Sequence, residues 1–200
     1  MRDSARQKTN RDTILDATDR LLGRHGYKKM TIDDLAKEVG IGKGSVYLHF
    51  ESKEEIALSH IDRIIERLKR RLHDIATGKG SCEKRLRAMM VERVLYRFDS
   101  VQHYTQSLNE MLSHLRPKLL DRRTRHFAEE AGIFAGLIAE GVGAGVFETK
   151  RPLHAATALL DATNSLLPYS LSVYELGDRG EIEKKVNRVA DLMLNGLIKR

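Results

Sequence analysis

Two hundred residues with 41% hydrophobic side chains and only three prolines suffice for a small head and a larger body with a true core, and exclude a disordered or fibrous chain. Cys82 is the only cysteine, which excludes an intrachain disulfide. The net charge of +7 favours a polyanionic partner, yet the first 60 residues carry 11 Lys and Arg against 10 Asp and Glu, so the total matters less than its placement.

In chain order, Ile14, Leu15, Thr18, Leu21 and Leu22 mark one stripe of an amphipathic helix that Gly26 can close. Thr31 is the predicted N-cap of a second helix, with Asp34 three positions on as its capping-box partner and Ile32, Leu35, Ala36 and Val39 facing inward. Gly40-Ile41-Gly42 breaks the pattern, which resumes over 43–50 with Val46 and Phe50 as inner residues. Ser52 followed by Glu54 and Glu55 starts a long fourth helix reaching about residue 76, and Gly78 to Ser81 is the clearest linker. Helical patterns then cover about 82–97, 100–115, 118–140, 152–174 and 180–198, with Pro168 expected to kink the 152–174 helix. Strand-like alternation is absent from the sequence, so the fold class is all-α.

Ala36, Gly40, Ile41 and Val46 have the spacing of a helix-turn-helix, in which a small residue, a reversing glycine and apolar locks hold two short helices together. The surrounding block is denser than that motif requires. It runs Arg11-x-x-Ile14-Leu15-x-Ala17, Gly26-Tyr27, Thr31-Ile32-x-Asp34-Leu35-Ala36, Val39 to Val46 without a gap, Tyr47-x-His49-Phe50 and Ser52-Lys53-Glu54. As a whole it resembles the N-terminal domain of the TetR/AcrR family of transcriptional regulators.

That resemblance implies a three-helix DNA-binding domain over residues 1–54 and a helical effector-binding and dimerisation domain over 55–200. It implies that the second helix of the motif enters the major groove of a double-stranded DNA operator. Lys43 and Lys53 would then meet phosphates, Thr31 and Tyr47 would donate hydroxyl hydrogen bonds to the backbone, and Gly44 would permit close approach. Ser45, Leu48 and His49 are the candidates for base contacts. Arg2, Arg6, Lys8 and Arg11 would form a basic arm before the first helix. Most relatives carry a hydroxyl or small residue at the position of Gly42, so the recognition helix has a weaker N-cap here.

Further along, the apolar faces of 152–198, with Ala155, Ala156, Leu159, Leu160, Ala162, Leu166, Leu167, Val186, Val189, Leu192, Met193 and Leu197, suit the homodimer that the resemblance implies. Tyr96, Phe98, His103, Tyr104, Met111, His114, Phe127 and Phe134 are the candidate lining of a small-molecule effector site, although ordinary core packing produces the same composition. Glu140-Gly141 through Phe147 reads as a helix end and turn.

The expected function is a repressor that leaves a palindromic operator when its effector binds. Two other readings stay open on the sequence: a helical metal-dependent enzyme using His103, Glu110 and His114 on one helix face, and a DNA-bound activator without an effector. No nucleophile-base pair is evident, so no enzyme, cofactor or metal is expected. The longest apolar stretch, Gly132 to Ala139, stops at Glu140, and Met1 to Ser4 lack the apolar run of a signal peptide, so a cytoplasmic location without membrane insertion is expected.

Overall fold

The computed structural model describes residues 2–168, 175 and 177–198, the side chains of 2–9, 105–107 and 109 excepted. Regular structure among them is helical: α1 (Arg2–Lys29), α2 (Ile32–Val39), α3 (Lys43–Tyr47), α4 (Lys53–Ala76), α5 (Cys82–Val101), a 3-10 turn (Gln102–Tyr104), α6 (Thr105–Gly143), α7 (Pro152–Asn164) and α8 (Arg179–Leu197). An isolated antiparallel bridge pairs Phe147 with Ile198. None of the described helices is long and apolar enough to cross a membrane.

The chain packs as two units. The first comprises Met1–Ile64 and His103–Leu119, and the second Ile65–Gln102 and Leu120–Arg200. Both α4 and α6 therefore contribute residues to each.

In the first unit, the α1 stripe buries Ile14, Leu15, Leu21 and Leu22, and Gly26 ends the regular helix by taking φ 72° and ψ 169°. Tyr104, Leu108, Met111 and Leu115 are buried members of the same unit, although some fifty residues separate them from its N-terminal helices. His60 is buried as well: its Nε2 lies 3.3 Å from the Tyr104 hydroxyl and 3.3 Å from Asp19 Oδ1. Burial pushes the Asp19 carboxyl up, but the His60 hydrogen bond and the charges of His60, His103 and Arg63 more than reverse this and hold it below the ordinary aspartate value.

In the second unit the larger core gathers Leu68 and Leu72 from α4, Leu86, Met89 and Met90 from α5, Phe134, Leu137 and Ile138 from α6, and Leu159, Leu160 and Leu194 from α7 and α8. A smaller cluster joins Val94, Leu95 and Phe98 to Leu167, Ile182 and Val186. Beside them lies a buried polar network. Arg93 donates from Nε to Glu130 Oε2 at 2.8 Å, from Nη1 to Thr163 Oγ1 at 2.7 Å and to the Leu160 carbonyl, and from Nη2 to Asn164 Oδ1 at 2.8 Å. Arg97 bonds the other Glu130 oxygen and the Arg93 carbonyl. Burial by itself raises the Glu130 carboxyl, but the charges of Arg97 and Arg93 and their hydrogen bonds outweigh it and leave the group below the usual glutamate value.

Two expected boundaries are corrected. The helices read as 100–115 and 118–140 form one, α6, with Pro117 inside it. Ser113, whose carbonyl would accept from residue 117, and Pro117 itself are both exposed, so water can satisfy the bond that proline forgoes. The helix expected over 152–174 ends at Asn164 instead of kinking at Pro168; turn bonds from Leu166 N to Thr163 O and Leu167 N to Asn164 O follow it. Pro168 lacks an N–H donor and disfavours helical backbone at the residue before it, so stopping upstream avoids both penalties. The remainder of that expected helix, 169–174, lies outside the described residues.

Candidate nucleic-acid interface

The reading of α2 and α3 begins with their caps. Thr31 Oγ1 accepts from Asp34 N at 3.1 Å while Asp34 Oδ2 accepts from Thr31 N at 3.0 Å, a reciprocal box that satisfies donors at the start of α2. Hydrogen bonds from the Thr31 hydroxyl and the Thr31 N–H to its carboxylate, together with the charges of His25 and Lys37, hold the Asp34 carboxyl below its ordinary value. At the far end Gly40 turns left-handed, φ 75° and ψ 33°, and its N–H meets the carbonyls of Ala36 and Lys37 while Ile41 N closes on Ala36 O at 3.0 Å. This reversal allows α3 to pack on α2 through Val46, which is completely buried, with Ala36, Leu35 and Phe50 buried in the same unit. Arg11 stacks its guanidinium 4.9 Å from the centre of the Phe50 ring.

Burying Val46 turns the opposite face of α3 outward. Lys43, Gly44, Tyr47 and Leu48 are exposed, Leu48 to 81% and Tyr47 to 49%, and Ser45 and His49 are half-buried beside them. Lys43 Nζ sits 2.8 Å from Asp33 Oδ2, and that hydrogen bond raises its pKa above the ordinary lysine value. Both partners are open to water, so a phosphate can take the place of Asp33. Gly42, the N-cap of α3, makes no side-chain cap bond, as its missing hydroxyl requires.

Two further candidates have local partners. The Thr31 hydroxyl, exposed, lies 2.7 Å from Asp34 Oδ2 within the capping box. Lys53 turns toward α1: its Nζ donates to the carbonyls of Tyr27 at 3.0 Å and Lys28 at 3.3 Å, and lies 4.6 Å from the centre of the Tyr27 ring. A cation there meets the carbonyl end of a helix, where the backbone dipole is negative. Of the expected basic arm, Arg2, Arg6 and Lys8 have side chains outside the described residues; their backbone continues α1.

The eight candidate effector contacts do not form one set. His103, Tyr104, Met111 and His114 belong to the first unit, and Tyr96, Phe98, Phe127 and Phe134 to the second. Tyr104 and Met111 are buried; His103 packs edge-on against Tyr104 with ring centres 4.8 Å apart; His114 is exposed, its Nδ1 2.7 Å from the Glu110 carbonyl. Phe134 lies in the larger core of the second unit with Tyr96 and Phe127 packed against it, and Phe98 lies in the smaller cluster. Tyr96 also borders a cleft of about 270 Å³ lined by Arg71, Glu92, Asp99, Ser100 and Arg179. Arg179 Nε donates to Asp99 at 2.9 Å and Arg71 is paired with Glu92, so the walls carry two ion pairs and suit a polar guest.

The metal-face alternative is corrected by the backbone. His103 belongs to the 3-10 turn and Glu110 and His114 to α6, so offsets counted on a single 3.6-residue helix do not place the three on one face. Glu110 is instead paired with Lys28 at 2.6 Å.

Residues 14–59 match the family model described as "Bacterial regulatory proteins, tetR family". The biofilm operon icaADBC negative transcriptional regulator IcaR of Staphylococcus aureus is 46% identical over 46 residues, 23% of this chain and 25% of that protein. A TetR/AcrR-family transcriptional regulator from Thermobifida fusca is 28% identical, with a TM-score of 0.69 over 93% of this chain and 97% of that one. The fold is shared with the regulator FadR of Bacillus subtilis, solved in complex with stearoyl-CoA, at 18% identity and a TM-score of 0.68 over 92% of this chain and 97% of that one. The chain spans about a sixth to about a third of the length of the first curated relatives it matches.

Proposed function

We propose that the chain, whose residues 14–59 match the tetR family of bacterial regulatory proteins, is a homodimeric transcriptional repressor of that family, released from a palindromic operator by a small-molecule effector. The observation that carries the proposal is the outward face of α3, where Tyr47 and Leu48 stand exposed on a helix anchored by Val46 and the left-handed turn at Gly40. In this reading α3 lies in the major groove, Ser45, Leu48 and His49 meet base edges, and Tyr47, Thr31 and Lys43 hold the phosphate backbone. Lys43 exchanges Asp33 for a phosphate on binding.

Gly44 supports the same face. A Cβ added to it meets nothing within 4 Å, so the chain itself does not require glycine at a helical position where glycine weakens the helix. A partner that approaches the backbone closely does. Lys53 acts at one remove, fixing the start of α4 to the end of α1.

One head reads few base pairs, and a twofold partner supplies the second. Five of the twelve apolar residues expected at the dimer surface, Ala156, Leu159, Leu160, Leu167 and Val186, are buried within the chain. Leu192 of that set is 74% exposed on α8, and Leu153, outside it, is 53% exposed on α7; both support a partner on these helices. The effector is assigned to the second unit, where the cleft beside Tyr96 offers paired charges and an aromatic wall; that the Bacillus subtilis neighbour was solved in complex with stearoyl-CoA supports an effector for this chain too. The protein works in the cytoplasm, beside the DNA.

Selection of genomic fragments by the purified protein tests the proposal. A single palindromic sequence should be enriched by the native chain and lost with Tyr47→Ala. Equal recovery of all fragments by both proteins would overturn it.

A further inference from the structure

On the second unit, α4 and α6 bring together four charged or metal-ligating side chains that operator binding does not use. Glu66 and Lys69 lie one turn apart on α4, and His126 and Glu129 one turn apart on α6. His126 is buried, and its Nδ1 stands 3.7 Å from Glu129 Oε2 and 3.9 Å from Glu66 Oε1. One donor atom from each of these three residues falls within 4.8 Å of the other two.

We propose that Glu66, His126 and Glu129 form a binding site for a divalent first-row transition cation such as zinc. Donor atoms around a tetrahedral ion with bonds of about 2.0–2.2 Å stand roughly 3.4 Å apart, so the imidazole-to-carboxylate separations here exceed the liganded spacing by only a few tenths of an ångström. A cation already occupies the seat: Lys69 Nζ is hydrogen-bonded to Glu66 Oε1 and Glu129 Oε2, the two oxygens that face His126. One ammonium between two carboxylates leaves an excess of negative charge, which a divalent ion reverses. Lys69 has a flexible four-carbon stem, and the carboxylates are about half exposed, so the ammonium has a path to solvent and the ion a path inward.

The donor set defines the class of ion. One imidazole with two carboxylates suits zinc, cobalt, manganese or ferrous iron, whereas copper(I) prefers sulfur and magnesium an all-oxygen shell. Water completes the coordination on the exposed side. Because the ligands come from two helices, the ion ties α4 to α6 within the second unit, a constraint separate from the effector cleft and independent of whether the chain reads DNA.

The test uses the full chain freed of metal with a chelator, and no DNA. Cobalt(II), followed by its visible absorption, and zinc(II), followed by competition with a chromophoric chelator, should each bind at one ion per chain. His126→Gln and Glu129→Gln should each weaken binding at least tenfold; Glu129 is half exposed, so its variant keeps the fold if the buried histidine variant does not, as circular dichroism will report. Lys69→Met, which empties the seat, should tighten binding at least tenfold. Absence of stoichiometric binding in both the native chain and Lys69→Met, or binding that folded Glu129→Gln leaves unchanged, would overturn the proposal.

Discussion

Arg93 on α5 and Glu130 on α6 face each other across 2.8 Å with 2% or less of either side chain open to solvent. Arg97 and Arg93 together compensate Glu130 for leaving water, and Glu130, Thr163 and Asn164 compensate Arg93. Arg93→Ala or Glu130→Ala alone strands a charge in the core and should lower unfolding free energy by about 3–5 kcal/mol. Replacing both with methionine should cost far less, because the desolvation burden disappears along with the attraction. Urea denaturation of the three variants checks this, and equal losses in the single and double variants would contradict it.

The same pair sets a pH dependence. Glu130 titrates lower in the folded chain than in the unfolded one, so its contribution to stability is complete above the unfolded glutamate pKa of about 4.3 and is lost as pH falls through the folded value. Stability measured from pH 7 to pH 3 should therefore fall below about pH 4, and the double methionine variant should show a shallower fall.

Tyr47 and Lys53 are separable by their contacts. Tyr47 is half exposed, and Tyr47→Ala should reduce operator affinity at least tenfold with no change in melting temperature. Lys53 is bonded to two carbonyls at the end of α1, and Lys53→Ala should lose about 1–2 kcal/mol of stability as well as affinity. Melting curves beside fluorescence-anisotropy titrations at fixed salt distinguish the two, since phosphate contacts are salt-sensitive.

Gly44→Ala should move stability and binding in opposite directions. The added methyl has free space and improves helix propensity, for a gain of up to about 1 kcal/mol, while it obstructs close approach of a duplex to the start of α3. A variant that is more stable and binds DNA as well as the native chain would remove the proposed role of this glycine.

Gly141 is constrained from within. A Cβ there would lie 2.2 Å from the Phe147 ring, itself buried and held beside the Phe147–Ile198 bridge. Gly141→Ala should destabilise the chain by about 1–3 kcal/mol, whereas Gly136→Ala, with open space around its Cβ, should not. Paired denaturation curves decide it.

The head was legible in the sequence because its signals are local. Thr31 and Asp34 form the expected capping box, Gly40 takes the left-handed turn, and Val46 is buried on the expected stripe. Between the patterns at 100–115 and 118–140 the helix runs on through Pro117, because the exposed carbonyl four residues earlier can turn to water instead. An aromatic or apolar side chain between the head and the last helices carries no mark in the sequence of which of two cores it joins. Tyr104 and Phe134 accordingly fall in different units. The Arg93 network left a readable trace: Arg93 and Arg97 continue the spacing of the buried Leu86, Met89 and Met90 along α5, two charges on the inner stripe of a helix. Their partner Glu130, 33 and 37 positions away, had no local mark.

His103–Leu119 packs with the N-terminal helices and contributes Tyr104, Met111 and Leu115 to their interior. A hybrid regulator that borrows this reading head by one splice in α4 would import a shell without part of its filling. Transplantation needs two inserted stretches of sequence, and a library of single-crossover recombinants should yield well-folded heads only when the donor of residues 103–119 is also the donor of residues 1–64.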